Sequence, residues 1–285
     1  MKKILVPTDF SENSFNALKY GVNLFAGEEC TFYILHTYTP ALYNAEFMAY
    51  SNLSLDEIYR IRVNKSLSQV VSRIQKEVPD ARHSYKKIGC FALLQDEIKN
   101  QVTEKGIDMV IMGTQGITGA AQILFGTQTI YAIKEAICPI LAIPAHGEFY
   151  KPSNLLFATD FEPDVTMDHL KIIKDIARIH KSTIHILHVV KDSFSYDDQE
   201  KNKNNLAEFF ADSNHEFHLV RSETVAEGII NFQKENYPDV LMMVRHKHSF
   251  FENLFFRPVV DKVGFHLSTP FMVIPVFKSL NKIRQ

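Results

Sequence analysis

Short apolar runs without polar alternation recur along the chain: Ile4-Leu5-Val6, Phe32-Tyr33-Ile34-Leu35, Met109-Val110-Ile111-Met112 and Ile140-Leu141-Ala142-Ile143. Such runs are what strands buried on both faces of a parallel sheet look like. Between the first two, Ser11 is a good N-cap, and Phe15, Leu18, Val22 and Phe25 follow it at intervals of three and four. That spacing gathers four apolar side chains on one helical face. Further helices are predicted from Leu55 to about Val78, around Leu93-Leu94-Ile98-Val102, and after Thr127 through Ile130, Ile133 and Ile137. Strands alternating with helices of this length predict βαβ units and an α/β, doubly wound, Rossmann-like parallel sheet. Ligands of such sheets bind at the carboxyl ends of the strands near the switch point, and Asp9, Thr37 and Gly113 each fall just after a strand.

The pattern occurs twice. Lys3 to Phe10 (KILVPTDF) recurs as Asn154 to Phe161 (NLLFATDF), and Thr31-Phe32-Tyr33-Ile34-Leu35-His36 recurs as Thr183-Ile184-His185-Ile186-Leu187-His188. Asp108 to Met112 matches Asp239 to Met243, and Cys138 to Pro144 matches Thr269 to Pro275. Order is kept and one spacing shrinks by about 21 residues, so this is a tandem duplication and not a short-period solenoid. The missing stretch is expected at Tyr38 to about Arg60 of the first copy, with Tyr43, Phe47, Met48 and Tyr50 as a lid over the first site or a docking surface. The predicted division is 1–146 for the N-terminal domain, 147–151 for the linker and 152–278 for the C-terminal domain, with Pro144, Gly147 and Pro152 as punctuation.

Composition narrows the class. A chain of 285 residues suits two domains that each bury a core. A net charge of −2 supplies no global field for nucleic acid or anionic membrane. Three widely spaced cysteines with no CxxC argue against a disulfide framework and against a zinc site, and fit a reducing cytoplasm. No apolar run reaches transmembrane length.

One motif distinguishes the copies. Gly113-Thr114-Gln115-Gly116, nine further residues, and Gly126-Thr127 lie between an apolar run and a predicted helix. Glycines permit close backbone approach to a phosphate, and a helix start offers free N–H groups and a favourable dipole. Thr127 can cap that helix or turn its hydroxyl to a phosphate. In the second copy the positions read Val244, Lys247, Arg257 and Pro258, so bulk and a lost amide replace the cradle while Asp160 survives. The spacing is neither the P-loop nor the dinucleotide fingerprint.

On these residues the chain resembles a tandem universal stress protein, almost end to end in both halves. The family's G-x2-G-x9-G-[S/T] is present at Gly113, Gly116, Gly126 and Thr127, its opening strand and aspartate at Val6-Pro7-Thr8-Asp9, and its closing C-P-[IV]-L-x-[IV]-P at Cys138 to Pro144. The resemblance implies an adenine-nucleotide α-hydrolase-like fold. It implies ATP or another adenine nucleotide in the N-terminal domain, with magnesium admissible alongside it. Asp9 and Thr37 would hold the adenosine part, Met112 would line its pocket, and the glycine loop would take the phosphates. The binding set so implied is Pro7, Thr8, Asp9, Thr37, Met112, Gly113, Thr114, Gly116, Gly126, Thr127 and Gln128. Thr37 stands where an aliphatic residue is common, and Gln128 where a small or β-branched one is usual. The resemblance also implies that the domains pair through Ile140–Ile143 and Phe271–Ile274 as a pseudo-dimer; a further homodimer is open.

Other chemistry is set aside. His185 and His188 are three apart on a strand, point to opposite faces and cannot chelate one ion, so no metal site is expected. His36 and His188 are repeat equivalents, which suggests one structural role at a strand end. Asp9 and Asp160 have no readable base–nucleophile partner. Cys90 follows Lys86-Lys87, the one thiol with a basic flank. The leading expectation is a nucleotide-binding regulatory module with at most slow, incidental hydrolysis. The alternatives are an adenine-nucleotide-dependent enzyme, for which no HIGH-like or SGGxDS-like motif is present, and a scaffold that holds no nucleotide.

Overall fold

The computed structural model describes residues 1–38, 55–114, 127–161, 165–190, 200–245 and 269–276. Gln115, Gly116 and Gly126, the expected lid residues Tyr43, Phe47, Met48 and Tyr50, and Lys247, Arg257 and Pro258 lie outside them. The N-terminal half runs β1 (Lys2–Pro7), α1 (Glu12–Leu24), β2 (Cys30–Tyr38), α2 (Leu55–Glu77), β3 (His83–Phe91), α3 (Leu94–Lys105), β4 (Met109–Gly113), α4 (Thr127–Lys134) and β5 (Ile140–Ile143). The C-terminal half repeats it as β6 (Asn154–Ala158), α5 (Met167–His180), β7 (Thr183–Val190), α6 (Glu200–Phe209), β8 (His215–Arg221), α7 (Val225–Asn236), β9 (Val240–Arg245) and β10 (Phe271–Pro275).

The strands form one ten-stranded sheet in the order β3-β2-β1-β4-β5-β10-β9-β6-β7-β8. Each half is parallel, and the halves meet through antiparallel β5 and β10, with Leu141 opposite Met272. The implied pairing of the closing strands is therefore what the structure holds. Two cores result, one on each face, and both run through both halves. Phe15, Leu18 and Val22 of α1 share one with Leu170, Ile173 and Ile176 of α5; Ile98 of α3 and Ile133 of α4 share the other with Ile229 and Phe232 of α7.

Ser11 caps α1 as its sequence position predicts, its hydroxyl accepting from the Ser14 amide at 3.2 Å. Two expectations change. Ile137 lies beyond α4 and is 42% exposed, because the chain leaves the helix before Pro139, which disfavours helical backbone in the residue ahead of it. The shortfall of the second copy sits largely in a helix: α2 has 23 residues and its counterpart α6 has 10. Arg60 thus belongs to α2.

Gly113 marks a close approach. A Cβ there would lie 2.8 Å from the side-chain nitrogen of Asn13 and 2.9 Å from its backbone oxygen. The first turn of α1 is held against the end of β4 by Asn13 Nδ2, which donates to the Thr114 carbonyl at 2.9 Å. Gly113→Ala should therefore lower stability by about 1–3 kcal/mol through overpacking, measured as a reduced urea midpoint with unchanged m-value.

The two halves also touch through their helices. The ring Nε2 of His180, at the end of α5, donates to the Leu24 carbonyl at the end of α1 (2.7 Å), and Phe149 of the segment between β5 and β6 meets Tyr20 of α1 edge-on at 5.1 Å. Burial holds the His180 imidazole below its ordinary pKa, against the pull of the Leu24 carbonyl toward the charged form. The folded chain then binds fewer protons than the unfolded chain just below about pH 6.5, so stability is full above that pH and falls as pH drops through it. Unfolding midpoints taken at about pH 7.5 and about pH 5.5 should show this drop, and His180→Gln should shrink it.

Candidate functional site

The carboxyl end of β1 is built around a strained turn. Thr8 continues the ladder by donating its N–H to the Leu35 carbonyl at 2.8 Å, and its buried hydroxyl accepts from the Phe10 amide at 3.0 Å. Phe10 is left-handed, with φ of 66°, a conformation costly for an aromatic residue. His36 at the end of β2 secures it. Its Nδ1 lies 2.7 Å from the Thr8 carbonyl, which can only accept, so Nδ1 carries the proton. The His36 ring also packs against Phe10, tilted by 32° with the ring centres 4.3 Å apart.

The second copy repeats every part. Phe161 has φ of 54°, its amide donates to the Thr159 hydroxyl at 3.1 Å, and His188 Nδ1 donates to the Thr159 carbonyl at 2.8 Å. The shared structural role expected for His36 and His188 is this one.

The turn presents Asp9 at the surface. Partial burial alone would raise its pKa, but the Ser11 hydroxyl and amide, both donating to Oδ1 (2.5 and 3.0 Å), outweigh it and hold the carboxyl below the usual range. Asp9 is thus an oriented carboxylate at neutral pH, an acceptor suited to hydroxyl donors and unsuited to phosphate.

β4 ends beside it at the switch point, since the chain winds from β1 outward to β2 and β3 and then returns to β4 and β5. Met112 is buried within β4 and Gly113 closes the strand. The Thr114 amide is spent on the Ile143 carbonyl at 2.8 Å, so it is not one of the donors the loop could offer a ligand. Among the described residues, the Thr114 hydroxyl and Asn13 Oδ1 are buried without hydrogen-bond partners. Thr127 and Gln128 are exposed at the start of α4, and Thr129 next to them donates to the Gly113 carbonyl at 3.2 Å. Thr37 is half-buried on β2 opposite Cys90 of β3, one strand away from β1.

Thr8, Asp9, Gly113 and Thr114 are therefore gathered around the first turn of α1, while Thr37 stands to one side. Asn13, Ser14, Phe10 and Arg73 escaped the sequence reading. Phe10 carried a usable signal, its recurrence as Phe161. Arg73 carried none, since it reaches the site only through packing of α2. Its guanidinium lies 3.7 Å above the Phe15 ring and pairs with both oxygens of Glu12, at 2.6 and 2.8 Å. Arg73 thereby walls a cleft of about 220 Å³ with Thr8, Phe10, Ser11 and Phe15.

The thiols take no part. Burial pushes Cys30 and Cys90 up to about 11 and Cys138 to about 12. At Cys90, Glu97 adds to that rise, so the preceding lysines do not activate it. No helix among the described residues is long and apolar enough to cross a membrane.

Comparison with known proteins fits this geometry. The sequence model of the universal stress protein family matches residues 1–144 and again 152–275. Universal stress protein MJ0577 of Methanocaldococcus jannaschii is 30% identical over 154 residues, which cover 50% of this chain and 94% of that protein. A universal stress protein from Archaeoglobus fulgidus shares the fold over 96% of this chain and 98% of its own, at 16% identity and a TM-score of 0.69. A universal stress protein solved in complex with cAMP aligns with 50% of this chain and 97% of its own, at 17% identity and a TM-score of 0.36. With both halves matched in order, the chain belongs to the universal stress protein family and carries two copies of its domain in tandem.

Proposed function

We propose that the N-terminal half binds one adenine nucleotide, ATP with its magnesium, at the carboxyl ends of β1, β2 and β4, and that the protein is a cytoplasmic regulatory module acting through occupancy. The observation that carries this reading is the placement of the glycine motif's first residue at the switch point, beside an oriented, ionised Asp9. The carboxylate suits ribose hydroxyls. Thr127 and Gln128, exposed at the start of α4, suit phosphate oxygens, since the first turn of a helix leaves its amides without intrahelical partners. Gly116 and Gly126 complete the cradle in this reading. The C-terminal half is its structural partner and holds no equivalent nucleotide, because Val244 fills the position of Gly113 with a buried, branched side chain. Turnover is no part of the reading: Asp9 is anchored by Ser11 as an acceptor, and the family resemblance points to binding.

Calorimetry with magnesium-ATP should give one equivalent per chain, and the melting temperature should rise with nucleotide. Saturation at 100 times the dissociation constant contributes about 2.7 kcal/mol. Asp9→Ala should weaken binding by about ten- to a hundredfold, the worth of a hydrogen bond to a charged group. Gly116→Val should abolish it, imitating the loss of glycine in the second copy, where Lys247 stands. Two equivalent sites would overturn the one-domain reading, and a melting temperature indifferent to ATP would favour a scaffold. Rapid ATP consumption with a defined acceptor would indicate an enzyme instead.

A further inference from the structure

His185 and His188 do fall on opposite faces of β7: His188 packs on Phe161, and His185 lies toward Phe232 of α7. The partner of His185 comes instead from the neighbouring edge strand. Nδ1 of His185 and Nε2 of His218 on β8 lie 3.0 Å apart, and Oε2 of Glu216 is 3.7 Å from each of them. Phe232 backs both rings, at 4.8 Å from His218 and 6.4 Å from His185.

We propose that His185, Glu216 and His218 form a binding site for one zinc-class divalent ion on the α7 face of the C-terminal half, remote from the nucleotide site. Three observations carry it. The first is size. A triangle with sides of 3.0, 3.7 and 3.7 Å has a centre about 2.0 Å from every corner, which is the zinc–nitrogen and zinc–carboxylate bond length. The ligand atoms need move only by tenths of an ångström as the ion rises from their plane toward tetrahedral geometry.

The second is orientation. The other ring nitrogen of His185, Nε2, donates to Asn154 Oδ1 at 3.1 Å. That bond fixes the proton on Nε2 and leaves the Nδ1 lone pair aimed at the triangle, as the outer partners of metal-bound histidines do. The Asn154 backbone is itself fixed, its main-chain N–H donating to Asp239 Oδ2 at 2.8 Å. In the metal-free protein His218 supplies the proton between the rings; the ion takes that proton's place, and the proton moves to His218 Nδ1 or to water.

The third is access. The side chains of His185, His218 and Glu216 are 14%, 26% and 61% exposed, so an ion can enter from solvent and the position opposite the triangle stays open to water or another ligand. Two imidazoles and one carboxylate select zinc, cobalt, nickel or copper over magnesium and calcium.

The test uses the full chain, stripped with a chelator and titrated with Zn²⁺ by calorimetry in excess Mg²⁺. One equivalent is expected. Co²⁺ should give a visible d–d spectrum that Zn²⁺ bleaches one for one. The double variant His185→Gln/His218→Gln should lose this site, and Glu216→Gln, at an exposed position, should weaken it at least about tenfold. Asn154→Ala, which touches only the outer hydrogen bond, should cost about ten- to a hundredfold. His146→Gln, at an exposed histidine elsewhere, should leave binding unchanged, and circular dichroism checks that each variant folds. No stoichiometric Zn²⁺ binding by the parent chain would overturn the proposal, and so would equal binding by the double variant. ATP binding is unaffected by either result.

Discussion

Everything in this molecule hangs on the antiparallel pairing of β5 with β10. In one copy alone, Ile140–Ile143 would be an edge strand: four apolar residues with a row of unpaired backbone groups, the kind of edge that recruits another chain. The second copy supplies the missing neighbour in the same polypeptide. Residues 140–143 and 271–274 are all but completely buried, and both cores continue across the seam. The prolines that bracket each strand fit this role. Pro139 and Pro270 stand at the strand entrances, where a missing N–H costs no ladder bond, and their carbonyls accept from Val110 and Leu241 at 2.9 Å. The outer edges are β3 and β8, whose charged and polar residues discourage further addition.

Pairing at one end leaves the carboxyl ends of β1 and β6 to carry whatever else the domains do. Both keep the same left-handed phenylalanine after the same aspartate, secured by the same threonine hydroxyl and the same histidine. A conformation costing on the order of 1–3 kcal/mol persists when its surroundings over-determine it. Here they do so twice: amide to hydroxyl, and carbonyl to imidazole. The turn swings the backbone sharply between strand and helix, and so sets Asp9 where Ser11 can orient it. Because both copies retain it, the turn belongs to the scaffold. What separates the copies lies at the end of β4.

Much of this was legible in the residues. Buried parallel strands announce themselves as unbroken apolar runs, and β1, β2, β4 and β5 did so; the duplication then carried each assignment to the second half. β3 was silent because it is an edge strand whose exposure changes residue by residue, and His83-Ser84-Tyr85-Lys86-Lys87 reads as a surface loop until Phe32 and Ile34 of β2 are seen beside it. α1 and α2 lie within a residue or two of the bounds their apolar spacing predicts, α3 runs on past Val102 to Lys105, and Pro139 ends α4 early. The site was legible as positions and illegible as bonds. Asp9 and Gly113 could be named from their places after strands, but Asn13 joins β4 to α1 across about a hundred residues of chain, and His185 meets His218 only through the register of two strands. Contacts of that kind leave no spacing to read.

Gly113 shows how a structural and a functional reason can share one residue. The fold as such does not demand glycine there, since β9 carries Val244 at the equivalent place, buried and paired with Ile274 of β10. What demands it is the approach of Asn13, whose backbone oxygen leaves no room for a Cβ and whose amide grips the Thr114 carbonyl. That approach brings the start of α1, with Ser11 and Asp9, against the end of β4. A ligand spanning the switch point needs the helix start and the strand end to be neighbours. The glycine therefore permits the arrangement before any phosphate reaches the loop beyond it, and the packing role is the first step in building a site.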